Sequence, residues 1–156
     1  MTLTSDVWWL GIDVGRNGAF AVWNPAKDKL HLRNMPPTPQ GVYDLCKGIA
    51  DLDIALCMVE KPIYMQASGV KNVSVMAFNY GVLYLSLTLT QIPFKEVAPK
   101  RWKGALDLSS DKRQSVSMAA SLYPSHKEFF RLMKDNDRAE AALLAYYASK
   151  NGEIAK

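Results

Sequence analysis

Cysteine and histidine are scarce in this chain, whose 156 residues include two of each. Cys46 and Cys57 lack the spacing of a metal site, so we expect small, buried side chains that stay reduced. His31 falls in a segment that alternates polar and apolar residues, and His126 falls in a loop, so both are predicted to be surface residues. Chemistry based on a cysteine or histidine nucleophile is therefore not indicated.

Targeting signals, internal repeats and low-complexity linkers are also missing from the sequence. The N-terminus has no basic segment followed by an apolar one and a cleavage site, so no signal peptide is expected. The apolar fraction of 49% and the charged fraction of 22% are ordinary for a globular protein with a sizeable core. We therefore predict one domain spanning residues 1–156, located in the cytoplasm.

A strong excess of one charge is lacking as well, since the net charge is +4 and the sequence pI is near 9.0. This balance is only a weak indication of an anionic partner. Basic residues nevertheless cluster between positions 95 and 113: Lys95, Lys100, Arg101, Lys103, Lys112 and Arg113. The cluster fits either a solvated face or a patch that follows nucleic-acid phosphates, and the charge pattern leaves both interpretations open.

Charged residues are absent from the run between Val73 and Phe94. The alternation of leucine with polar residues around Leu83 would suit a strand, whereas about 20 residues without a turn signal suit a helix better. The serine, threonine, asparagine and glutamine side chains in the run make insertion into a membrane costly. We predict a helix that is buried on more than one side, with one face left for a subunit partner.

Apolar periodicity predicts the remaining elements. Strands are expected in VWWLGIDVG, GAFAVWN, KLHLRNM, IALCMVE and PFKEVAP, and the first three should form an antiparallel meander. One helix follows the prolines of residues 35–39 and carries apolar residues at helical spacing from Val42 to Leu52. Further helices are predicted in PKRWKGAL, after Asp111 as a cap, and from about Asp137 to Ser149. The resulting order is β-β-β-α-β-α-β-α-α-α.

Four acids are notable for their positions in these elements. Asp13 and Glu60 each end a predicted buried strand, where a carboxylate needs a cation or hydrogen bonds to be tolerated. Asp137 and Glu140 are one helical turn apart, so they project from the same face of the last helix. Alone, this pair would fit a capping box at a helix start. If the helix crosses the sheet edge where the two strands end, the four carboxylates converge.

Converging carboxylates repel one another strongly unless a cation binds between them. Mg²⁺ prefers oxygen ligands and retains waters that a substrate phosphate can replace. Two such ions about 4 Å apart can activate a water and stabilise the departing oxygen at phosphorus. The acids therefore predict nuclease chemistry that depends on two Mg²⁺ ions, with Mn²⁺ as a substitute.

Five segments, in order and at compatible spacing, resemble the RuvC-like Holliday junction resolvases in their compact phage and bacterial form. They are GIDVG, VEKP, VAPKRWK, SSDKRQS and DRAEAALLA, and the resemblance covers about Trp8 to Tyr147. It implies an RNase H-like α/β fold, with a five-stranded mixed sheet in which three antiparallel strands precede the parallel ones, flanked by helices on both faces. It also implies a homodimer that nicks a four-way DNA junction symmetrically and leaves 5′-phosphate and 3′-hydroxyl ends, without a nucleotide cofactor or a membrane.

The resemblance also assigns roles to residues. The family's metal-binding acids, which are its catalytic residues, fall on four positions: Asp13, Glu60, Asp137 and Glu140. Candidate DNA-contacting side chains form a second set, in which the first two match the family's phosphate-contacting lysines: Lys103, Lys112, Lys100, Arg101, Lys71 and Tyr64. The uncharged helix takes the place of the family's dimer helix.

The sequence departs from the family at several points. Glu140 stands where cellular members usually have aspartate, and its extra methylene changes the reach of the carboxylate. The family often places an aromatic wedge for the junction centre where Ile63 stands here, so the next residue, Tyr64, becomes the candidate for stacking on an unpaired base. The loop at residues 65–71 does not match the family pattern, and Asp135 is interpreted as a cap rather than an auxiliary acid.

Other functions share parts of this pattern. A sugar-kinase or actin-like ATPase also begins with a strand and DxG but needs two such lobes, whereas 156 residues supply one. A ribonuclease that acts on RNA:DNA hybrids has the same fold and metal chemistry and differs in its substrate. A non-catalytic DNA-binding protein would keep its DNA handling and metal dependence after Asp13→Asn.

Overall fold

The computed structural model describes residues 6–15, 17–64 and 69–152, and its centre is a five-stranded sheet. The strands are β1 (Val7–Asp13), β2 (Ala19–Asn24), β3 (Lys29–Asn34), β4 (Asp53–Glu60) and β5 (Phe94–Val97). Their order across the sheet is β3-β2-β1-β4-β5. The first three strands pair antiparallel, whereas β4 pairs parallel with both β1 and β5. The predicted meander and mixed sheet are confirmed, and β5 is an edge strand as expected.

The described part of the chain contains five α-helices in the predicted order. They are α1 (Pro39–Ile49), α2 (Gly69–Leu89), α3 (Pro99–Ala105), α4 (Lys112–Leu122) and α5 (Asn136–Asn151). Two 3-10 segments, Pro124–Phe129 and Met133–Asp135, connect α4 to α5 and were not predicted. Asp111 caps α4 as expected, because its side chain accepts the Arg113 N–H at 2.9 Å.

Successive side chains of β1 point into two separate cores, one on each face of the sheet. Leu10 and Ile12 are buried with residues of α1 and α2, whereas Trp9 is buried with residues of α3, α4 and α5. Each such side chain contributes about 1.5 to 3 kcal/mol by leaving water. The predicted arrangement of helices on both faces is therefore confirmed. Cys46 and Cys57 are buried free thiols in the core beneath α1 and α2, as predicted.

The last helix lies directly against the central strand at Gly11. A side-chain carbon added at this position would overlap the backbone of Ala141 and Ala145 in α5. Glycine is required here because no other residue lets helix and strand approach so closely. This contact fixes α5 across β1 and so determines where the acids at the start of the helix lie.

α1 begins earlier than its apolar spacing predicts. Thr38 is the N-cap, its hydroxyl accepts the Gly41 N–H at 3.1 Å, and Pro39 is the first helical residue. Proline fits this position because the first helical N–H has no partner within the helix. The helix ends at Ile49, so Leu52 lies beyond it rather than on its last turn.

α2 differs from the prediction in both its bounds and its burial. It begins at Gly69 and ends at Leu89, and the rest of the uncharged run forms a turn, with Gln91 at a φ of 58°, before β5. Within the helix as described, the buried residues are Leu83, Ser86 and Leu87. The expectation of burial on more than one side is therefore wrong for the isolated chain, because only the second half of α2 packs on the core.

The length and composition of α2 alone would also allow it to cross a membrane. Leu83 and Leu87 are nevertheless part of the core formed with α1 and the sheet, so α2 is an element of the α/β fold. The hydroxyls of Ser74, Ser86 and Thr88 bond to carbonyls four residues earlier in the same helix. These bonds satisfy the three hydroxyl groups within the helix itself.

Candidate metal centre

Three carboxylates from distant parts of the sequence meet at one edge of the sheet. Asp13, Glu60 and Glu140 each offer an oxygen, and these oxygens all lie within 4.8 Å of one another. Asp13 and Glu140 are 7% exposed, and Glu60 is partly buried. The cluster is therefore the kind of oxygen-ligand group that a hard divalent cation prefers.

Strand topology explains the meeting of the first two acids. β1 and β4 run parallel and are adjacent, with Ile12 opposite Val59, so their last residues, Asp13 and Glu60, emerge side by side. Glu140 reaches them because the first turn of α5 extends past this sheet edge, with the helix held on β1 at Gly11. Convergence of the three acids thus follows from one parallel strand pair and one close helix contact.

Each carboxylate is held in place by a donor from the protein. The Gly15 N–H donates to Asp13 Oδ1 at 3.2 Å, and the indole Nε1–H of Trp102 donates to Glu60 Oε2 at 2.7 Å. The Lys103 ammonium donates to Glu140 Oε1 at 2.7 Å. These bonds limit the orientations of the carboxylates, whose oxygens have further lone pairs for another ligand.

Glu140 has a second donor in Ser115 of α4, whose hydroxyl lies 3.3 Å from Oε1. Ser115 is buried, so this contact links α4 to the start of α5 inside the protein. Neither Ser115 nor Trp102 was predicted as a site residue. Trp102 lies within the APKRWK motif, but a sequence does not show which acceptor a buried indole N–H will reach.

The electrostatics of the cluster show a shortage of positive charge. Burial, followed by the charges of Glu60, Glu140 and Asp137, raises the pKa of Asp13 to about 8, although the Gly15 N–H acts in the opposite direction. Burial also raises the pKa of Glu60, against the bond from Trp102. A divalent cation would remove this penalty because it compensates several carboxylates together, so the residues present fit a metal ion.

Asp137 lies at the rim of the cluster and is partly exposed. Its pKa is raised mainly by burial, while Lys112 lowers it and Glu140 raises it. α5 begins at Asn136, so Asp137 is a residue of the first turn and not a cap. The capping-box interpretation of Asp137 and Glu140 is therefore wrong. The helix face that carries both acids is directed at the sheet edge, as convergence of the carboxylates requires.

Asp135 was interpreted as a cap. Its side chain caps the 3-10 segment that precedes α5 rather than α5 itself. Its Oδ2 accepts the N–H groups of Leu132 and Arg131, at 2.9 and 3.3 Å, and so closes the 3-10 segment before α5. Asp135 makes no side-chain bond to the N-terminus of α5. It holds the connection that presents the first turn of α5.

The predicted DNA-contacting side chains divide by location. Lys103 forms a salt bridge with Glu140. Lys112 is the first residue of α4 and lies close enough to Asp137 to lower the pKa of its carboxyl group. The remaining cationic candidates, which are exposed, are Lys100, Arg101 and Lys71. Tyr64 is 47% exposed and Ile63 is 59% exposed, which suits contact with a partner molecule. The part of the predicted loop at residues 65–68 lies outside the described residues.

The two histidines lie away from the acids. His31 is exposed on β3 and stacks on Trp8 with the ring centroids 5.5 Å apart. His126 is in a 3-10 segment, half-buried, and its Nε2 lies 2.9 Å from the Asp28 carbonyl oxygen. The exposure of His31 agrees with its predicted surface position, whereas His126 is half-buried in a 3-10 segment rather than exposed in a loop.

A cleft of about 1500 Å³ opens beside the candidate metal centre. Its lining includes the segment at residues 34–39, the first half of α2 and the first turn of α5 with Asp137. Three cationic side chains face this cleft: Lys71, Lys134 and Arg138. Arg138 Nε donates to Asn34 Oδ1 at 2.8 Å, which joins α5 to the end of β3. Lys134 and Arg138 were not predicted as functional residues.

No family model matches the sequence, and no curated protein matches it. Solved structures with the same fold include Thermus thermophilus RuvC in complex with a Holliday junction substrate, with a TM-score of 0.64 and 16% identity over 92% of this chain and 94% of that one. A further Thermus thermophilus RuvC structure gives 0.59 and 15% over 92% and 95%. The yeast mitochondrial Holliday junction resolvase Ydc2 gives 0.52 and 19% over 91% and 76%.

The chain is thus an α/β protein with an RNase H-like fold, in which two strand-end acids and one acid of the last helix form a candidate metal centre. Within that class its fold is the one found in RuvC and in the mitochondrial resolvase, across nearly the whole length of this chain. The structural resemblance and fold predicted from the sequence motifs are confirmed.

Proposed function

We propose that this protein is a metal-dependent endonuclease that resolves four-way DNA junctions. The observation that carries the proposal is the meeting of the Asp13, Glu60 and Glu140 carboxylates within 4.8 Å on a RuvC fold. Neither feature alone would suffice, because one fold serves many functions and acidic clusters occur without metal. Together they support a metal centre suited to nuclease chemistry.

The acids hold the metal in this proposal, with Asp137 as the fourth ligand at the rim. When bound, two Mg²⁺ ions supply the charge that activates a water and stabilises the departing oxygen of a phosphodiester, and Mn²⁺ can replace them. The bonds from Gly15, Trp102 and Lys103 keep the carboxylates in fixed positions. Hydrolysis leaves 5′-phosphate and 3′-hydroxyl ends, and no nucleotide cofactor takes part.

The cleft supplies a path for a DNA strand to the acids. Lys71, Lys134 and Arg138 along it carry charge that complements phosphates, and Lys103 and Lys112 lie next to the acids themselves. Lys100 and Arg101, exposed on α3, extend this positive surface. Tyr64 is the candidate for stacking on an unpaired base at the junction centre.

A homodimer would give two symmetric nicks, and α2 is its proposed interface. The exposed apolar side chains of this helix outside the lining of the cleft include Leu85 and Leu89, whose spacing of four residues places them along one helix stripe. They are 57% and 61% exposed, which is unfavourable in water. A second copy that packs α2 against α2 would cover this stripe.

Metal binding also changes the overall charge. The formal charge of +4 becomes about +8 when two Mg²⁺ ions, each contributing two charges, occupy the site. Metal therefore attracts DNA as well as allowing its hydrolysis, and binding weakens with salt because each neutralised phosphate releases counterions. The proposed enzyme acts as one domain in the cytoplasm of a bacterium or a phage-infected cell.

A nicking assay tests the proposal by comparing an immobile four-way junction, a linear duplex and an RNA:DNA hybrid with and without Mg²⁺. Paired cuts in the junction that require Mg²⁺ are expected. Degradation of the RNA strand in the hybrid, with the junction intact, would identify a ribonuclease instead. Binding of the junction without cutting under any metal would identify a non-catalytic DNA-binding protein.

Variants of the acids serve as controls in the same assay. Asp13→Asn and Glu60→Gln should lower the cleavage rate about 100-fold or more, since each removes a ligand charge, while junction binding persists. Loss of binding together with activity would indicate misfolding, which circular dichroism would reveal. Cleavage at the wild-type rate by both variants would contradict the proposed site.

A further inference from the structure

Trp102 is a buried residue with an unusual hydrogen-bond acceptor. It is 0% exposed at the centre of α3, and its indole N–H donates to Glu60 Oε2 at 2.7 Å. A buried indole N–H needs an acceptor. Here the acceptor is a carboxylate of the candidate metal centre, so the core packing of α3 is coupled to the orientation of one acid.

The same side chain also supports a second acid through its neighbour. The Lys103 ammonium lies 5.3 Å from the centroid of the Trp102 ring and donates to Glu140 Oε1 at 2.7 Å. An ammonium over an indole face is attracted by the ring electrons. Trp102 therefore contacts Glu60 directly and helps to place the cation that holds Glu140.

The hydrogen bond restricts how Glu60 can bind a cation. The indole N–H bond to Oε2 fixes the plane of the Glu60 carboxylate, because rotation of this group would break a charge-assisted bond. The remaining lone pairs of the carboxylate therefore point in fixed directions towards an ion. Partners of this kind orient metal ligands and commonly change metal affinity about 10- to 100-fold when they are removed.

We propose that Trp102 is a positioning residue of the candidate metal centre, which fixes the orientation of the Glu60 carboxylate and keeps Lys103 directed at Glu140. The inference rests on the proposed function, because it assumes that the acids bind a divalent cation. Trp102 touches neither DNA nor the reacting atoms, and it acts through the two glutamates.

Calorimetric titration with Mn²⁺ tests this role on three variants and the wild type. Trp102→Phe removes the N–H, and site-specific replacement of Trp102 by 3-benzothienylalanine removes it while keeping the size of the ring. Both should bind Mn²⁺ about 10- to 100-fold more weakly than wild type. Trp23→Phe is the matched control, because Trp23 packs on Tyr123 and Tyr146 away from the acids, and its affinity should be unchanged.

The indole signals in a proton–nitrogen NMR spectrum give an independent measurement. The Trp102 signal, assigned by its loss in Trp102→Phe, should shift on Mg²⁺ titration, while the Trp23 signal should stay in place. Turnover by Trp102→Phe should be lower than that of wild type at limiting Mg²⁺ and should recover when the Mg²⁺ concentration is raised. Together with an unchanged KM for DNA, this result would support a positioning role. A purely structural role would not be corrected by metal.

The outcomes separate this inference from the proposed function. Mn²⁺ affinity equal to wild type in both Trp102 variants, with a functional wild-type nuclease, would overturn the inference and leave the proposed function standing. Absence of Mn²⁺ binding and junction cleavage in the wild type would overturn both. If Trp102→Phe fails to fold, the benzothienylalanine protein decides the question.

Discussion

At the scale of single residues, folding strongly changes the environment of the Asp13 carboxyl group. It is nearly fully buried between Glu60 and Glu140, with Asp137 close by, and its pKa rises from 3.8 to about 8. In the absence of a cation, the folded protein therefore holds a proton on Asp13 in a pH range where the unfolded chain has lost it. Stability from this group decreases as pH rises from about 4 to about 8, because unfolding then releases the proton.

Asp13→Asn should consequently stabilise the metal-free protein, since the amide never carries the unfavourable charge. Its advantage in the free energy of unfolding over wild type should grow by about 2 to 4 kcal/mol between pH 5 and pH 8. Urea denaturation in EDTA at both pH values measures the difference. An advantage that is equal at pH 5 and pH 8 would show that the carboxyl group is not held protonated by the fold.

A second prediction for a single residue concerns Lys103 and the salt dependence of junction binding rather than the pH dependence of stability. Lys103→Ala should weaken junction binding and reduce the slope of log affinity against log salt by about one, so its effect shrinks as salt rises. Lys150→Ala, at the far end of α5, should leave the slope unchanged. Fluorescence anisotropy at several salt concentrations measures both variants. Equal slopes for wild type and Lys103→Ala would exclude a phosphate contact at Lys103.

At the scale of elements, the contact of α5 with β1 organises the site. A side chain at Gly11 would overlap the helix backbone, so it would push the start of α5 away from the strand ends. The α2 helix, in contrast, is packed on the core only in its second half, because its first half has no buried side chain among the described residues. One helix is thus fixed by the core, and the other offers apolar surface to a partner.

Gly11→Ala should destabilise the protein by about 3 kcal/mol or more, because the overlap involves backbone that cannot move independently. Gly48→Ala is the matched control, since an added carbon at Gly48 in α1 meets nothing within 4 Å and should be neutral or slightly stabilising. Thermal denaturation of both variants measures the effect. A melting temperature of Gly11→Ala equal to that of wild type would contradict the close packing.

Leu85→Lys tests the proposed interface on α2. A lysine at this 57%-exposed position would be costly to bury, so self-association should weaken by about tenfold or more. Leu132→Lys replaces a leucine of similar exposure, 53%, outside α2 and should leave self-association unchanged. Analytical ultracentrifugation measures the change. A wild-type monomer at high micromolar concentration, or an unaffected Leu85→Lys dimer, would contradict the interface.

At the scale of the whole molecule, the sequence predicted the order of elements because its strands are strongly apolar and its turns carry clear signals. It predicted the meeting of Asp13 with Glu60 because adjacent parallel strands end at the same sheet edge. The exposure of α2 could not be predicted, since an uncharged run does not show what covers it. The role of Trp102 was likewise hidden, because its acceptor is 42 residues away in the sequence.

The account as a whole depends on the acids that end β1 and β4 and begin α5 acting as one metal-binding group. The most direct test is anomalous X-ray scattering from a crystal grown with Mn²⁺. The predicted result is anomalous density between the carboxylates of Asp13, Glu60 and Glu140, lost in Asp13→Asn crystals. Ordered carboxylates with no anomalous density between them at saturating Mn²⁺, or density only at other sites, would contradict the account.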